Sequence, residues 1–358
     1  MSLTKILAAL TVLSAVQAVA DDKIVGGPYV IHVDQRSATV HWIVQSGTVT
    51  LTSQGGKGDK SAPVLRDEKV SFTGLTPGTT FEYALPGHAD VKGSFKTAPK
   101  DPVPFQFVVY GDTRTRHEVH RHVVEAIVKY ANPEFVVHTG DLVADGADSS
   151  QWPIFFDIEH DLLRKVAFFP SLGNHERNNQ QYYEFFDVTT PYYSFNWGGG
   201  HFIVLNSDIG NVASSQVLRD DYWKEQVRWL EEDLQHSQSA DFRFVIAHHP
   251  PLTAVERRQG DNPHMAALMP MFEKYNLTAG FFGHDHNYQH YLRNGIHYFI
   301  TGGGGAPLYD VKKPPPGITQ KVESVEHFVV VHVDGKKARV EALRLDGTPI
   351  EVTEMVSH

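Results

Sequence analysis

Five times in this chain a short apolar run stops at a glycine, or at a histidine pair, and then presents side chains that can bind a metal. Tyr110 is followed by Gly111-Asp112-Thr113-Arg114, and Val137-His138-Thr139 by Gly140-Asp141-Leu142. Leu172 is followed by Gly173-Asn174-His175-Glu176, Ala247 by His248-His249-Pro250-Pro251, and Phe282 by Gly283-His284-Asp285-His286. In extended backbone, residues two apart point the same way, so His284 and His286 can aim two imidazoles at one place past a strand end. Neutral imidazole is the commonest metal ligand. A Gly-Asp step after a strand is by itself an ordinary turn. Five such strand ends in one region instead require a fold that gathers strand ends at one rim, and they predict a metal site there.

The periodicity beyond the linker describes such a fold. Apolar runs at 105–110, 134–138, 167–171, 201–206, 242–247 and 279–282 alternate with helical spacing at 118–130, 152–166, 222–234 and 265–275. Val119, Val123, Ile127 and Val128 lie on one helical stripe, as do Trp223, Val227, Leu230 and Leu234. This alternation predicts an α/β layered domain over residues 105–358, with ligands where loops leave the strand ends. Strands at 328–333, 339–345 and 350–352 are expected to close a sheet edge.

Residues 21–99 read differently, as short alternating runs between turn residues. With Trp42 as a core anchor and Tyr83 following the corner Leu75-Thr76-Pro77-Gly78, this stretch resembles a fibronectin type III sandwich. It holds no cluster of ligands or acid/base groups, so it is expected to be a structural module, or one that docks to a surface or partner. Residues 100–104, within a stretch of three prolines in eight residues, form the linker.

Composition narrows the chemistry. The chain has no cysteine, so a metal must be held by His, Asp, Asn or Glu. A formal charge of −10 disfavours a nucleic-acid-binding surface. An anionic substrate then needs local positive charge, which metal ions supply. Lys5, the apolar run 6–16 and the small residues Ala18 and Ala20 predict a signal peptide over residues 1–20, cut before Asp21. The protein is thus expected to be exported, to a periplasm or to the medium. The run is too short to span a bilayer, and no later stretch qualifies.

The order Gly-Asp, Gly-Asp, Gly-Asn-His-Glu, His-x-Pro, Gly-His-x-His resembles the calcineurin-like metallophosphoesterase superfamily. Within it the chain is most similar to the purple acid phosphatases, which also carry a fibronectin-like domain ahead of the catalytic one. The resemblance implies a four-layer α/β/β/α domain, two metal ions and a small phosphate-ester substrate. It also implies roles by position. Asp141 would bridge the ions, Asp112 and His286 would bind the first, Asn174, His248 and His284 the second, and His175 would stand beside the leaving group. His249 and Arg114 are candidates for contacting phosphate oxygens.

Chemistry favours the same set. Two cations a few ångströms apart neutralise the phosphate oxygens and acidify a water, and a carboxylate is the side chain that bridges them. The reaction so implied is monoester hydrolysis, with a phosphodiesterase or nucleotidase as the alternative of the same class. A non-catalytic surface-binding protein with a degenerate metal domain is the alternative of another class.

The chain departs from its relatives at two positions. Ala144 stands where purple acid phosphatases have the tyrosine that favours ferric iron, and Arg114 where other members have a histidine. A colourless enzyme using zinc, manganese or ferrous iron is therefore expected, with a weak first site. Three other features carry less. His117-Glu118-Val119-His120 is one residue short of the zinc-protease spacing and reads as a solvated helix face. Gly302 to Gly305 reads as a tight turn near the site, and His138 as a buried histidine bonded to its neighbours.

Overall fold

The computed structural model describes residues 22–52 and 59–357, and the expected signal peptide lies outside them. The chain begins with β1 (Lys23–Ile31), β2 (Ser37–Leu51), β3 (Lys60–Thr73), β4 (Thr80–Leu85) and β5 (His88–Lys96). It continues through β6 (Phe105–Tyr110), α1 (His117–Tyr130), β7 (Phe135–His138), α2 (Trp152–Leu163), β8 (Ala167–Pro170) and α3 (Gln180–Phe186). Next come β9 (Tyr193–Trp197), β10 (Gly200–Val204), α4 (Gln216–His236), β11 (Phe242–Ala247), α5 (Pro263–Ala266), α6 (Met269–Lys274) and β12 (Ala279–Phe282). The hairpin β13 (Tyr288–Arg293) and β14 (Ile296–Thr301) leads to β15 (Thr319–Glu323), β16 (His327–Asp334), β17 (Lys337–Arg344) and β18 (Pro349–Val356).

Two sheets carry the architecture, in the orders β18-β17-β16-β6-β7-β8-β1-β2-β3 and β15-β13-β14-β12-β11-β10-β9. The period-two alternation of each central strand decides which layer a side chain enters. Phe107, Val109, Phe135 and Val137 face Phe202, Phe244, Ile246 and Phe281 in the core between the sheets. Their neighbours Val108, Tyr110 and Val136 turn outward to meet α1, α2 and α3 through Val123, Ile127, Phe155, Phe156 and Phe185. Ile203, Val245 and Phe282 do the same on the other side, against Leu230, Leu234, Met265 and Phe272. The result is the four-layer α/β/β/α order that the resemblance implies. Because β6, β7 and β8 run parallel, as do β10, β11, β12 and β14, their C-terminal ends share one rim.

The N-terminal strands do not stand apart from this architecture. β1 pairs with β8 at Val30 and Ala167, so β1, β2 and β3 extend the first sheet. Val30, Val40 and Phe95 share the core of Phe105 and Phe107, and the Tyr29 hydroxyl donates to the Phe185 carbonyl at 2.6 Å. The corner tyrosine, Tyr83, donates to the Arg164 carbonyl at 3.1 Å, tying the β4–β5 hairpin to the end of α2.

Two further expectations differ, and one hairpin comes in addition. The single helix expected over 265–275 is two, α5 and α6, because Pro270 falls at the start of the second, where it cannot donate to a preceding turn. His120 is buried and not solvated, since its Nε2 meets Glu159 Oε1 at 2.6 Å, the oxygen that also accepts from the Tyr110 hydroxyl at 2.7 Å. The β13–β14 hairpin was not anticipated, although Asn294-Gly295, both at positive φ, forms its turn.

Candidate metal centre

Each candidate ligand stands just past the C-terminal end of a parallel strand: Asp112 after β6, Asp141 after β7, Asn174 after β8, His248 after β11, His284 and His286 after β12. Asp112, Asp141 and His284 hold left-handed φ values of 59°, 57° and 69°. Such a conformation costs a non-glycine residue about 1–3 kcal/mol and persists where the surroundings enforce it. The surroundings here are backbone stitches. Asp112 N–H donates to the Gly140 carbonyl at 3.0 Å, and His284 N–H to the Asp112 carboxylate at 2.9 Å.

Glu176, buried behind the rim, accepts N–H groups from Asp141 at 3.0 Å, Leu142 at 2.8 Å, Val143 at 3.2 Å and Gly173 at 2.7 Å. One carboxylate thereby locks the loop bearing Asp141 to the loop bearing Asn174. The approach is close enough that a Cβ on Gly173 would fall 2.2 Å from Asp141 N, so only glycine fits there.

Two groups of ligand atoms result, His248, His249 and His284 in one and Asp112, Asp141 and His286 in the other. In the first, His248 Nδ1 donates to the Thr139 carbonyl at 2.9 Å, which leaves the Nε2 lone pair facing the site. That nitrogen lies 3.1 Å from Asn174 Oδ1, 3.2 Å from His284 Nδ1 and 3.4 Å from Asp141 Oδ1. Ligands on metal bonds of about 2.0–2.1 Å in a tetrahedral shell stand about 3.3–3.4 Å apart. The donor set, two imidazoles, an amide oxygen and a carboxylate, fits one divalent cation.

In the second group, His286 Nδ1 donates to the Pro307 carbonyl at 2.6 Å and its Nε2 lies 3.4 Å from Asp112 Oδ1. The Arg114 guanidinium reaches into this group. Its Nε donates to Asp141 Oδ2 at 3.1 Å, and Nη2 lies 3.4 Å from His286 Nε2. Here three side chains can bind a cation, and an arginine contacts two of them.

His175 and His249 flank the ligands. His175 N–H donates to Asp141 Oδ1 at 3.0 Å and its Nδ1 to the Ala144 carbonyl at 2.7 Å, so Nε2 is the nitrogen free to exchange a proton. Ser207 Oγ accepts from the His249 backbone N–H at 2.8 Å and lies 3.0 Å from its Nδ1. If the hydroxyl donates to that ring nitrogen, Nε2–H is left as a donor at the site.

Electrostatics follow from burial and crowding. Burial pushes the Asp141 carboxyl up, but His248, His175 and Arg114 outweigh it and hold its pKa at about 2, so it is ionised at neutral pH. Burial first, and then adjacent histidines, drive His249 and His284 well below the ordinary range, which keeps both rings neutral. His138 is lowered in the same way, held by Thr113 Oγ1 at 3.2 Å and the Gly140 N–H at 3.1 Å.

Sequence reasoning missed three contributors. Arg258 lies against His284 Nε2, and its Nη2 donates to the Tyr309 hydroxyl at 3.3 Å. Tyr309 stacks on His286 with ring centroids 4.1 Å apart. Asp285 is buried between the two histidines, accepting from Thr253 Oγ1 and from Gln289 Nε2. The adjacent pair Arg257-Arg258 in an acidic chain was the available signal. Gly302 to Gly305 lie against the Asp112 turn, where Gly304 N–H donates to the Gly111 carbonyl at 2.9 Å.

Comparison with known proteins agrees with this architecture. Residues 105–288 match the sequence model of the calcineurin-like phosphoesterases. An uncharacterized protein of Mycobacterium tuberculosis is 25% identical over 281 residues, which cover 66% of this chain and 53% of that protein. Purple acid phosphatase 22 of Arabidopsis thaliana is 24% identical over 304 residues, 75% of this chain and 66% of the relative. The chain therefore spans about half the length of the mycobacterial relative and just under two thirds of the plant one. A purple acid phosphatase from yellow lupin (Lupinus luteus) seeds shares the fold, with a TM-score of 0.71 at 15% identity over 92% of this chain and 74% of that one. With more than half of its length matching the family and its strand-end ligands gathered on one rim, the chain belongs to the calcineurin-like phosphoesterase family.

Proposed function

We propose that the protein is an exported, metal-dependent phosphoesterase that hydrolyses small phosphate monoesters. The observation that supports this reading best is the meeting of Asp141, Asn174, His248 and His284 donor atoms at metal-shell spacing, beside Asp112 and His286. Asp141, Asn174, His248 and His284 would hold one divalent cation, and Asp112, Asp141 and His286 another, with zinc, manganese or iron suited to such donors. Such cations supply positive charge to the phosphate oxygens and lower the pKa of water.

The remaining work falls to the chain's own side chains. The Arg114 guanidinium and a His249 Nε2–H would donate to phosphate oxygens. His175 would move a proton at Nε2 to the departing oxygen. This local positive charge offsets the formal −10 that would otherwise repel an anionic ester.

Purified protein loaded with zinc or manganese should cleave para-nitrophenyl phosphate faster than the bis ester, and a chelator should remove the activity until a divalent ion is restored. Faster bis-ester turnover would point to a phosphodiesterase. No hydrolysis across a broad phosphoester panel would return the chain to a non-catalytic binding role. Export is tested separately, since the mature protein should begin at Asp21 on N-terminal sequencing, and retention of Met1 would refute it.

A further inference from the structure

We infer that the Arg114 guanidinium is the resting occupant of the first cation position, so that the protein as folded holds one metal ion and one built-in positive charge. The inference rests on the metal-site reading above and deepens it. All three guanidinium nitrogens have partners: Nε on Asp141 Oδ2 at 3.1 Å, Nη1 on Thr115 Oγ1 at 3.2 Å and Nη2 against His286 Nε2 at 3.4 Å. The arginine is anchored at its backbone too, where its N–H donates to the Asp141 carbonyl at 3.3 Å.

The oxygen and nitrogen it contacts are the lone pairs a cation would need. His286 has its Nδ1–H committed to Pro307, so its free pair is at Nε2, facing the guanidinium. Asp141 divides its two oxygens, Oδ1 toward His248 and Oδ2 toward Arg114. A guanidinium has only N–H donors and stays charged at any pH a protein survives, so it cannot share these lone pairs with a metal.

The two positions therefore differ in kind. Asn174, His248 and His284 stand at metal-shell spacing, and the arginine there, Arg258, meets His284 at Nε2 and not at the Nδ1 that faces His248, whereas Arg114 meets His286 at its one free nitrogen and Asp141 at Oδ2. Filling the first position requires Arg114 to leave Asp141 and His286, and the side chain is 14% exposed, so it has a way out. Once displaced it stands beside both cations, where it can grip a phosphate oxygen.

The experiment counts ions and does not depend on turnover. Wild type, Arg114→Ala, Arg114→Gln and Arg114→His are each loaded with excess zinc, desalted and analysed for metal per chain by mass spectrometry. About one ion is expected in the wild type and about two in Arg114→His, which supplies an imidazole in place of the charge. Arg114→Ala and Arg114→Gln should rise above the wild type, and either serves if the other folds poorly. Two ions in the wild type, or one in every folded variant, would overturn the inference. A wild type that holds one ion and hydrolyses nothing would sink the phosphoesterase reading while leaving this one standing.

Discussion

Replacing Asp141 with alanine is expected to abolish phosphoester hydrolysis and metal retention together. Its carboxylate reaches both ligand sets, standing 3.4 Å from His248 and within the cluster of Asp112 and His286. It also accepts from the His175 N–H at 3.0 Å and from Arg114 at 3.1 Å, so the loss removes these two hydrogen bonds as well. The positive charge that cations bring to a phosphoryl transition state is worth several kcal/mol, which corresponds to a rate loss of roughly a thousandfold or more. Removing Asn174 or His248 singly should cost less, because each touches one set. Initial rates at saturating zinc, with circular dichroism to confirm folding, decide the matter. Near-normal turnover in Asp141→Ala would show that the ligands have been assigned wrongly.

The second large effect belongs to His175, and it should depend on the leaving group. With Nδ1 held by the Ala144 carbonyl, Nε2 is the atom that can deliver a proton to a departing oxygen. General acid catalysis contributes on the order of 10²–10⁴-fold when the leaving group is a poor one. His175→Ala should slow an alkyl phosphate by about that factor and para-nitrophenyl phosphate far less, since a phenolate leaves without help. Equal losses for both substrates would assign His175 to positioning, through its N–H on Asp141 Oδ1, and not to proton transfer.

The strand ends were legible because the chain marks them doubly. At β6, β11 and β12 a run of apolar residues stops where a glycine or histidine begins, and the observed bounds coincide with those runs. Parallel pairing then places the five loops on one rim without further information. Pairing partners were not legible at the N-terminus, because alternation tells which side chains share a face and not which strand lies alongside. The β1–β8 pairing that draws β1, β2 and β3 into the first sheet joins positions 137 residues apart, Val30 and Ala167.

Long-range contact also explains the misread residues. His120 lies on a helix whose local pattern looks exposed, and its partner Glu159 is on another helix. Arg258 and Tyr309 come from loops separated by 51 residues, and only the fold brings them to the two histidines of β12's end. The turn Asn294-Gly295 is different, since its hairpin signal is local and strong in the sequence itself.

Asp141, Asn174, His248 and His284 are proposed to cradle a divalent cation. Crystals of the zinc-loaded protein, measured on both sides of the zinc absorption edge, test it most directly. An anomalous peak is expected about 2.0–2.2 Å from His248 Nε2, His284 Nδ1, Asn174 Oδ1 and an Asp141 oxygen. A zinc-replete crystal with no peak there, or with its zinc held by other side chains, would contradict it.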